Sequence, residues 1–335
     1  MWRIGIIGAG SYGELHAQAI AALDDAVVTA ASRTNANALK AFTAQYGGTG
    51  YLNYMELLSD PAVDAVVIAT PHDRHTEIAV RAAQAGKHIL LEKPMAPTLA
   101  ECRQIAEAAA GAGVQLMLGH VNHFVQAYQV AKAVLDSGEM GEVVMGTATM
   151  QKYWMESNRR EWHLDRKSGG GVWMTVGVHP LDRLMWLVNS PVTSVSAQFG
   201  TRFNEQRADD AGMAFLRFEN GAVGNVVSVG YVDGAPKHLT ELVCTRGMLN
   251  VDYAAGVTIG RQEHWQTIPD SMPTGNWMGE ALVNEWRGFL HALDTGSAPP
   301  VTADFALHVM QVLFAAEESS AQQREVSVKP EWRPG

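Results

Sequence analysis

A chain of 335 residues exceeds the size at which one hydrophobic core usually stops growing, so two domains are expected, and 47% hydrophobic residues supply apolar material for both. The formal net charge of −10 argues against the basic face of a nucleic-acid binder. Two cysteines far apart in sequence, Cys102 and Cys244, exclude a disulfide framework and a cysteine-rich metal site. No run approaches the ~20 apolar residues of a membrane span. Met1-Trp2-Arg3 leads directly into a strand pattern without the parts of a secretion signal, so a soluble cytoplasmic protein is expected.

The first third alternates short apolar runs with helix-like stretches, the pattern of βαβ units and a parallel sheet. Strands are expected over 3–8, 27–32, 65–70, 88–91 and 114–119, and helices over 11–22, 36–46, 76–85 and 99–112. VDAVVIAT, ending at Thr70, has the continuous apolar character of a strand buried on both faces. Gly86 and Gly113 stand where helices stop. Beyond Gly119 the rhythm changes. One helix is expected over 122–138, then strands over 143–152, 193–200, 211–219, 222–232, 241–245, 247–253 and 256–260. Helices are expected over 173–188, 278–295 and 303–323. The fold class is therefore α/β: an N-terminal Rossmann doubly wound parallel sheet over 1–120, then a C-terminal α+β domain over 121–335 with a large, open, mostly antiparallel sheet.

The first strand ends in Gly8-Ala9-Gly10-Ser11-Tyr12-Gly13, a G-x-G-x-x-G between a strand and a helix. The first glycine permits a tight turn, the second lets backbone approach a pyrophosphate, and the third lets helix and strand pack closely. The helix N-terminus then offers N–H groups to the phosphates. In this position the pattern reads as a dinucleotide site. At the end of the second strand, where NAD enzymes usually place a carboxylate for the ribose 2′-OH, stand Ser32, Arg33 and Thr34. A hydroxyl and a guanidinium would bind a 2′-phosphate, so NADP is favoured over NAD; the plainer reading is that Arg33 covers the adenine and both cofactors bind.

Ala69-Thr70-Pro71 with His75, followed by Gly86-Lys87-His88-Ile89-Leu90-Leu91-Glu92-Lys93-Pro94, resembles the glucose–fructose oxidoreductase and inositol dehydrogenase family, Gfo/Idh/MocA. The resemblance continues through Gly169-Gly170-Gly171 to His179 and Asp182, and weakens in the last third. It implies a Rossmann domain followed by an α/β domain whose open sheet often serves oligomerisation. The implied activity is NAD(P)-dependent oxidation or reduction of sugars, cyclic polyols and related compounds. It places Lys93 beside the nicotinamide and the substrate hydroxyl, with Glu92 and Pro94 in the same motif and Thr70, Pro71 and His75 near the cofactor. The family's D-x-x-x-H pair falls on Thr175 and His179, so the aspartate is replaced by a residue that can hydrogen-bond a hydroxyl but cannot take a proton at neutral pH.

Hydride transfer from an alcohol carbon needs a group that removes the hydroxyl proton, and a lysine in a partly dry pocket near an oxidised nicotinamide suits that task. Lys93 is accordingly the first catalytic candidate, and His179, alone or with Lys93, the second. Thr175, His179 and Asp182 are expected on one side of a helix. The segment KYWMESNRREWHLDRK offers Tyr153, Arg160 and His163 as substrate contacts, although a solvated loop with a few core aromatics accounts for it as well. Asn122 and His123 are further contacts, or caps of the following helix. No metal is required, since nicotinamide chemistry supplies the redox step. Competing readings are a dehydrogenase of a non-sugar ring such as an aromatic dihydrodiol, and a sensor that holds NADP without turnover. The expected partners are a small molecule and further copies of this chain, as a homodimer or homotetramer through the C-terminal sheet, with neither nucleic acid nor membrane.

Overall fold

The computed structural model describes residues 1–157, 159–272 and 275–334. The chain divides into two compact units: Met1–Phe124 with Met278–Ala306, and Val125–Trp277 with the stretch from Leu307 onward. A single boundary near 120 thus misassigns Met278–Ala306, which packs with the first unit. There the Trp2 indole donates to Asp294 Oδ1, Gln115 Nε2 to Ser297 O, and Leu118 N to Val301 O.

The first unit runs β1 (Trp2–Ile7), α1 (Ser11–Ala21), β2 (Ala26–Ser32), α2 (Ala36–Tyr46), β3 (Thr49–Tyr51), α3 (Tyr54–Leu58), β4 (Ala65–Ile68), α4 (His75–Gln84), β5 (His88–Glu92), α5 (Leu99–Ala112) and β6 (Leu116–Gly119). Its strands lie in the order β3-β2-β1-β4-β5-β6, all parallel. The chain order reverses between β1 and β4, and in doubly wound sheets the carboxyl ends at such a switch hold the ligand. β4 is buried on both faces along its whole length, as its apolar run anticipates. α5 starts where Thr98 accepts from Glu101 N and ends at Gly113, whose φ of 67° suits a residue without Cβ. β3 and α3 escape sequence periodicity because three and five residues carry too little of a repeat.

The second unit contains α6 (Gln126–Asp136), β7 (Val143–Tyr153), α7 (Val178–Val188), β8 (Val192–Gly200), β9 (Ala211–Phe218), β10 (Val223–Tyr231), β11 (Lys237–Cys244), β12 (Gly247–Asp252), β13 (Gly256–Arg261) and β14 (His264–Ile268). After α8 (Trp277–Thr295) come α9 (Ala303–Gln322) and β15 (Val326–Ser327). The sheet order is β14-β13-β12-β11-β7-β10-β9-β8-β15, antiparallel except for β10 beside β7. Among the described residues, no helix is long and apolar enough to cross a membrane.

Two expected helices differ in form. The stretch 122–138 splits into a 3-10 turn, Val121–Phe124, and α6, because Val125 is extended at φ −73° and ψ 129°. The stretch 173–188 opens with a π-helical turn, Trp173–Gly177, before α7. At Gly177 a Cβ would lie 2.4 Å from the Trp173 ring, so the glycine lets that indole fold back over its own turn.

Candidate functional site

At the carboxyl end of the parallel sheet, the loops after β1, β4 and β5 lie side by side. The glycine loop hangs from β2: Gly8 N and Ala9 N donate to Ser32 O at 3.0 and 3.1 Å. Gly8 has φ 95°, and a Cβ there would meet Ala69 O at 2.4 Å, so the loop after β1 touches the loop after β4. A Cβ on Gly13 would meet Gly8 O at 2.4 Å, which is the close packing of helix on strand. Gly10 differs from both, since a Cβ there would meet nothing within 4 Å. That glycine faces open space beside the N-terminus of α1, where no side chain caps the helix. Ser11 and Tyr12 open that helix. Nearby, Thr70 Oγ1 is buried without a hydrogen-bond partner. An uncapped helix end, an open approach at Gly10 and a spare hydroxyl fit a dinucleotide pyrophosphate and its ribose.

At the end of β2, the Arg33 guanidinium donates to Ala9 O at 2.9 Å and so lies against the glycine loop, while Thr34 beside it is exposed. Ser32 is buried, a placement its sequence position does not reveal.

After β5, Glu92 is buried, Lys93 half-buried and Pro94 buried, with a cis bond between Lys93 and Pro94. His75 is fully buried, its Nδ1 3.1 Å from Pro94 O and its Nε2 3.0 Å from Thr70 O. Burial lowers its pKa, against the opposing pull of those two carbonyls. His75 thus ties the loop after β4 to the loop after β5, with both ring nitrogens turned to protein carbonyls. Pro71, by contrast, is exposed.

Beneath Glu92 lies a group that sequence reading missed. His16 Nε2 lies 3.0 Å from Glu92 Oε1, and the Trp286 indole donates to His16 Nδ1 at 3.1 Å. Glu285 is fully buried beside them, and ligand atoms of His16, Glu92 and Glu285 fall within 4.8 Å of one another. A signal was present. In α8, Ala281, Leu282, Glu285, Trp286, Phe289 and Leu290 form one buried stripe, and Glu285 is the charged residue within it.

In the second unit, Thr175 lies in the π-helical turn and His179 in the first turn of α7, both half-buried. Thr175 Oγ1 is buried without a partner. Asp182, three positions after His179 in α7, is fully buried. The π-helical turn shifts Thr175 relative to the α-helical phase that the expectation assumed.

The turn carrying Thr175 is anchored by Asp209, whose Oδ2 accepts from Trp173 N at 2.7 Å. Burial pushes the Asp209 carboxyl up to about 7, opposed by that N–H and reinforced by Glu317. A raised folded pKa gives stability that is fully present below the ordinary carboxyl range and lost as pH rises through about 7. Asp209→Asn keeps an oxygen for Trp173 N and removes the buried charge. Its melting temperature should exceed the parent's by several degrees at pH ~8 and match it near pH ~4. Equal melting curves at both pH values would contradict this.

The remaining sequence candidates are dispersed. Asn122 and His123 are buried in the first unit, with the His123 ring against Phe305 at 5.5 Å. Tyr153 is exposed at the end of β7. The segment after it is a self-bonded loop. Arg160 Nη1 donates to Ser157 O and Arg159 O, Arg160 N donates to His163 Nδ1, and His163 stacks on Trp162 at 3.6 Å. Lys152 pairs with Glu156, Arg159 lies over Trp154, and Arg166 forks onto Glu317. Most of these contacts are made within the segment itself, and Arg166 reaches Glu317 on α9.

Residues 2–120 match the oxidoreductase family with NAD-binding Rossmann fold, and residues 128–250 match the GFO/IDH/MocA C-terminal domain. A 1-carboxy-3-chloro-3,4-dihydroxycyclohexa-1,5-diene dehydrogenase from Comamonas testosteroni is 34% identical over 230 residues, covering 68% of this chain and 58% of that protein. A 1,5-anhydro-D-fructose reductase from Ensifer adhaerens is 32% identical over 227 residues, 67% of this chain and 68% of the relative. The solved structure of a levoglucosan dehydrogenase in complex with NADH and levoglucosan superposes with a TM-score of 0.90 at 24% identity, over 98% of this chain and 99% of that one, and so shares the fold.

Proposed function

The chain belongs to the Gfo/Idh/MocA oxidoreductase family, and on that premise we propose that it transfers hydride between a nicotinamide and a ring carbon bearing a secondary alcohol or hemiacetal, or the matching carbonyl. The observation that carries this reading is Glu92-Lys93-Pro94 at the carboxyl end of β5, in the sheet whose β1 loop leaves Gly10 facing open space. A bound nicotinamide supplies the acceptor or donor of the hydride. Lys93 takes the hydroxyl proton in oxidation, or gives one to the carbonyl in reduction. His179 is a second proton-handling residue, and Thr175 Oγ1 is a hydrogen-bond partner for a substrate hydroxyl.

The substrate class is a sugar, a cyclic polyol or a related ring compound. A second reading, a dihydrodiol of a non-sugar ring, is favoured by the relative from Comamonas testosteroni, whose name describes a carboxylated ring diol. A turnover screen over sugars, inositols, sugar acids and dihydrodiols separates the two. Turnover confined to dihydrodiols would replace the first reading with the second.

NADP is the preferred cofactor in this account, because Arg33 and Thr34 stand where a carboxylate would repel a 2′-phosphate. Arg33→Ala should weaken NADPH binding about tenfold or more and NADH binding much less, read by fluorescence titration. Tighter binding of NADH by the parent protein would overturn the preference.

The nine-stranded sheet supports self-association. Met145, Val243, Met248, Gly260 and Trp265 are successive cross-strand partners and share one face; Met145, Met248 and Trp265 are exposed. Such a face suits a second copy of the chain as a homodimer or homotetramer. A monomeric mass in light scattering at micromolar concentration would contradict it.

A further inference from the structure

The buried group under Lys93 has a definite hydrogen-bond polarity. The Trp286 indole can only donate, so His16 Nδ1 accepts and the ring proton lies on Nε2. His16 Nε2 therefore donates to Glu92 Oε1. The other oxygen of Glu92 accepts from the backbone N–H of Lys93 at 3.3 Å. A chain of directed bonds thus runs from α8 through α1 to the lysine at the end of β5.

Glu285 completes the surroundings. Neither of its carboxyl oxygens has a hydrogen-bond partner, and it is fully buried within reach of the Glu92 carboxylate. Two carboxylates that close cannot both carry charge in a dry interior without a cation between them. The His16 nitrogens and both Glu92 oxygens are already committed to hydrogen bonds, so a proton on Glu285 answers the charge without breaking them. Burial, with the charge of Glu92 added, raises the Glu285 carboxyl well above its ordinary range.

We propose that His16, held in one tautomer by Trp286, and Glu285 are positioning residues for Lys93, acting through the Glu92 carboxylate between them. His16 and the Lys93 N–H fix the direction of that carboxylate. Glu285 stays neutral and leaves Glu92 the single negative charge. The lysine ammonium then feels a charge of set size and place, which sets how readily it releases its proton. The inference rests on the assignment of Lys93 as the proton-handling residue.

Trace labelling of the full chain with acetic anhydride across the alkaline range, read at Lys93 by peptide mass spectrometry, tests both statements. In Trp286→Phe the imidazole is free to turn away from Glu92, whose carboxylate then draws the Lys93 ammonium. The labelling midpoint should rise by about half a pH unit or more. An unchanged or lowered midpoint, whatever the loss of thermal stability, would reduce Trp286 and His16 to core packing and overturn the proposal. For Glu285, a raised folded pKa means stability present below the ordinary carboxyl range and lost as pH rises through the folded value. Glu285→Gln, which mimics the neutral acid, should therefore melt higher than the parent in alkaline buffer and equal to it in acid. Destabilisation at every pH, or stoichiometric zinc in the purified protein that this substitution removes, would show an ionised Glu285 and overturn its part. Failure of the underlying assignment has its own signature, because NADPH or NADH would then leave Lys93 labelling in the parent protein unchanged.

Discussion

Lys93→Met is expected to keep cofactor affinity within a few-fold of the parent and to lose turnover by about 100- to 10,000-fold, the range for removing a positioned acid–base group. Methionine retains the length and apolar stem of lysine and discards only the ammonium. Lys93 is half-buried at a strand end, where a methionine of similar length can occupy its place, so folding should survive. Fluorescence titration with NADPH reads binding, and nicotinamide absorbance reads turnover. Activity within tenfold of the parent would move proton transfer to another group, with His179 the next to test. A parallel loss of binding would mean that Lys93 holds the cofactor and would leave its chemistry unassigned.

Gly10→Ala should separate binding from stability. A Cβ at Gly10 meets no protein atom within 4 Å, and the residue sits at φ −100° and ψ −161°, an extended backbone open to alanine. Its melting temperature should therefore match the parent's within a degree or so. The new methyl projects into the space where backbone and pyrophosphate would meet, so cofactor affinity should fall about 10- to 100-fold. Gly13→Ala makes the contrast, because its Cβ would press on Gly8 O at 2.4 Å and should lower stability and binding together. Unchanged cofactor affinity in Gly10→Ala would remove the dinucleotide from this loop.

Much of the first unit was legible because its determinants are local. The apolar run of β4, the glycine loop after β1 and the Gly113 stop of α5 are each local signals. Lys93 was singled out by its place at a strand end together with the Glu92-Lys93-Pro94 motif of the family it resembles. The contacts that hold it were not. Trp286 and His16 are 270 positions apart, and no periodicity connects them. The same distance hid the return of Met278–Ala306 to the first unit. His75 illustrates another limit: its position in the motif was plain, yet only the fold turns both its nitrogens to backbone carbonyls. The phase of Thr175 went astray because an α-helical repeat was carried through a turn that is π-helical. The cations around Trp154 illustrate a third limit, since sequence counts charges but not the partners, such as Glu317 for Arg166, that engage them.

The most direct test of the central claim is the change in nicotinamide absorbance when the full chain is mixed with NADP or NAD and a panel of sugars, inositols, sugar acids and dihydrodiols, beside Lys93→Met under the same conditions. Reduced cofactor is expected with one ring class, formed by the parent and nearly abolished in the variant. Tight cofactor binding with no turnover on any member of the panel, or turnover that Lys93→Met leaves intact, would contradict it.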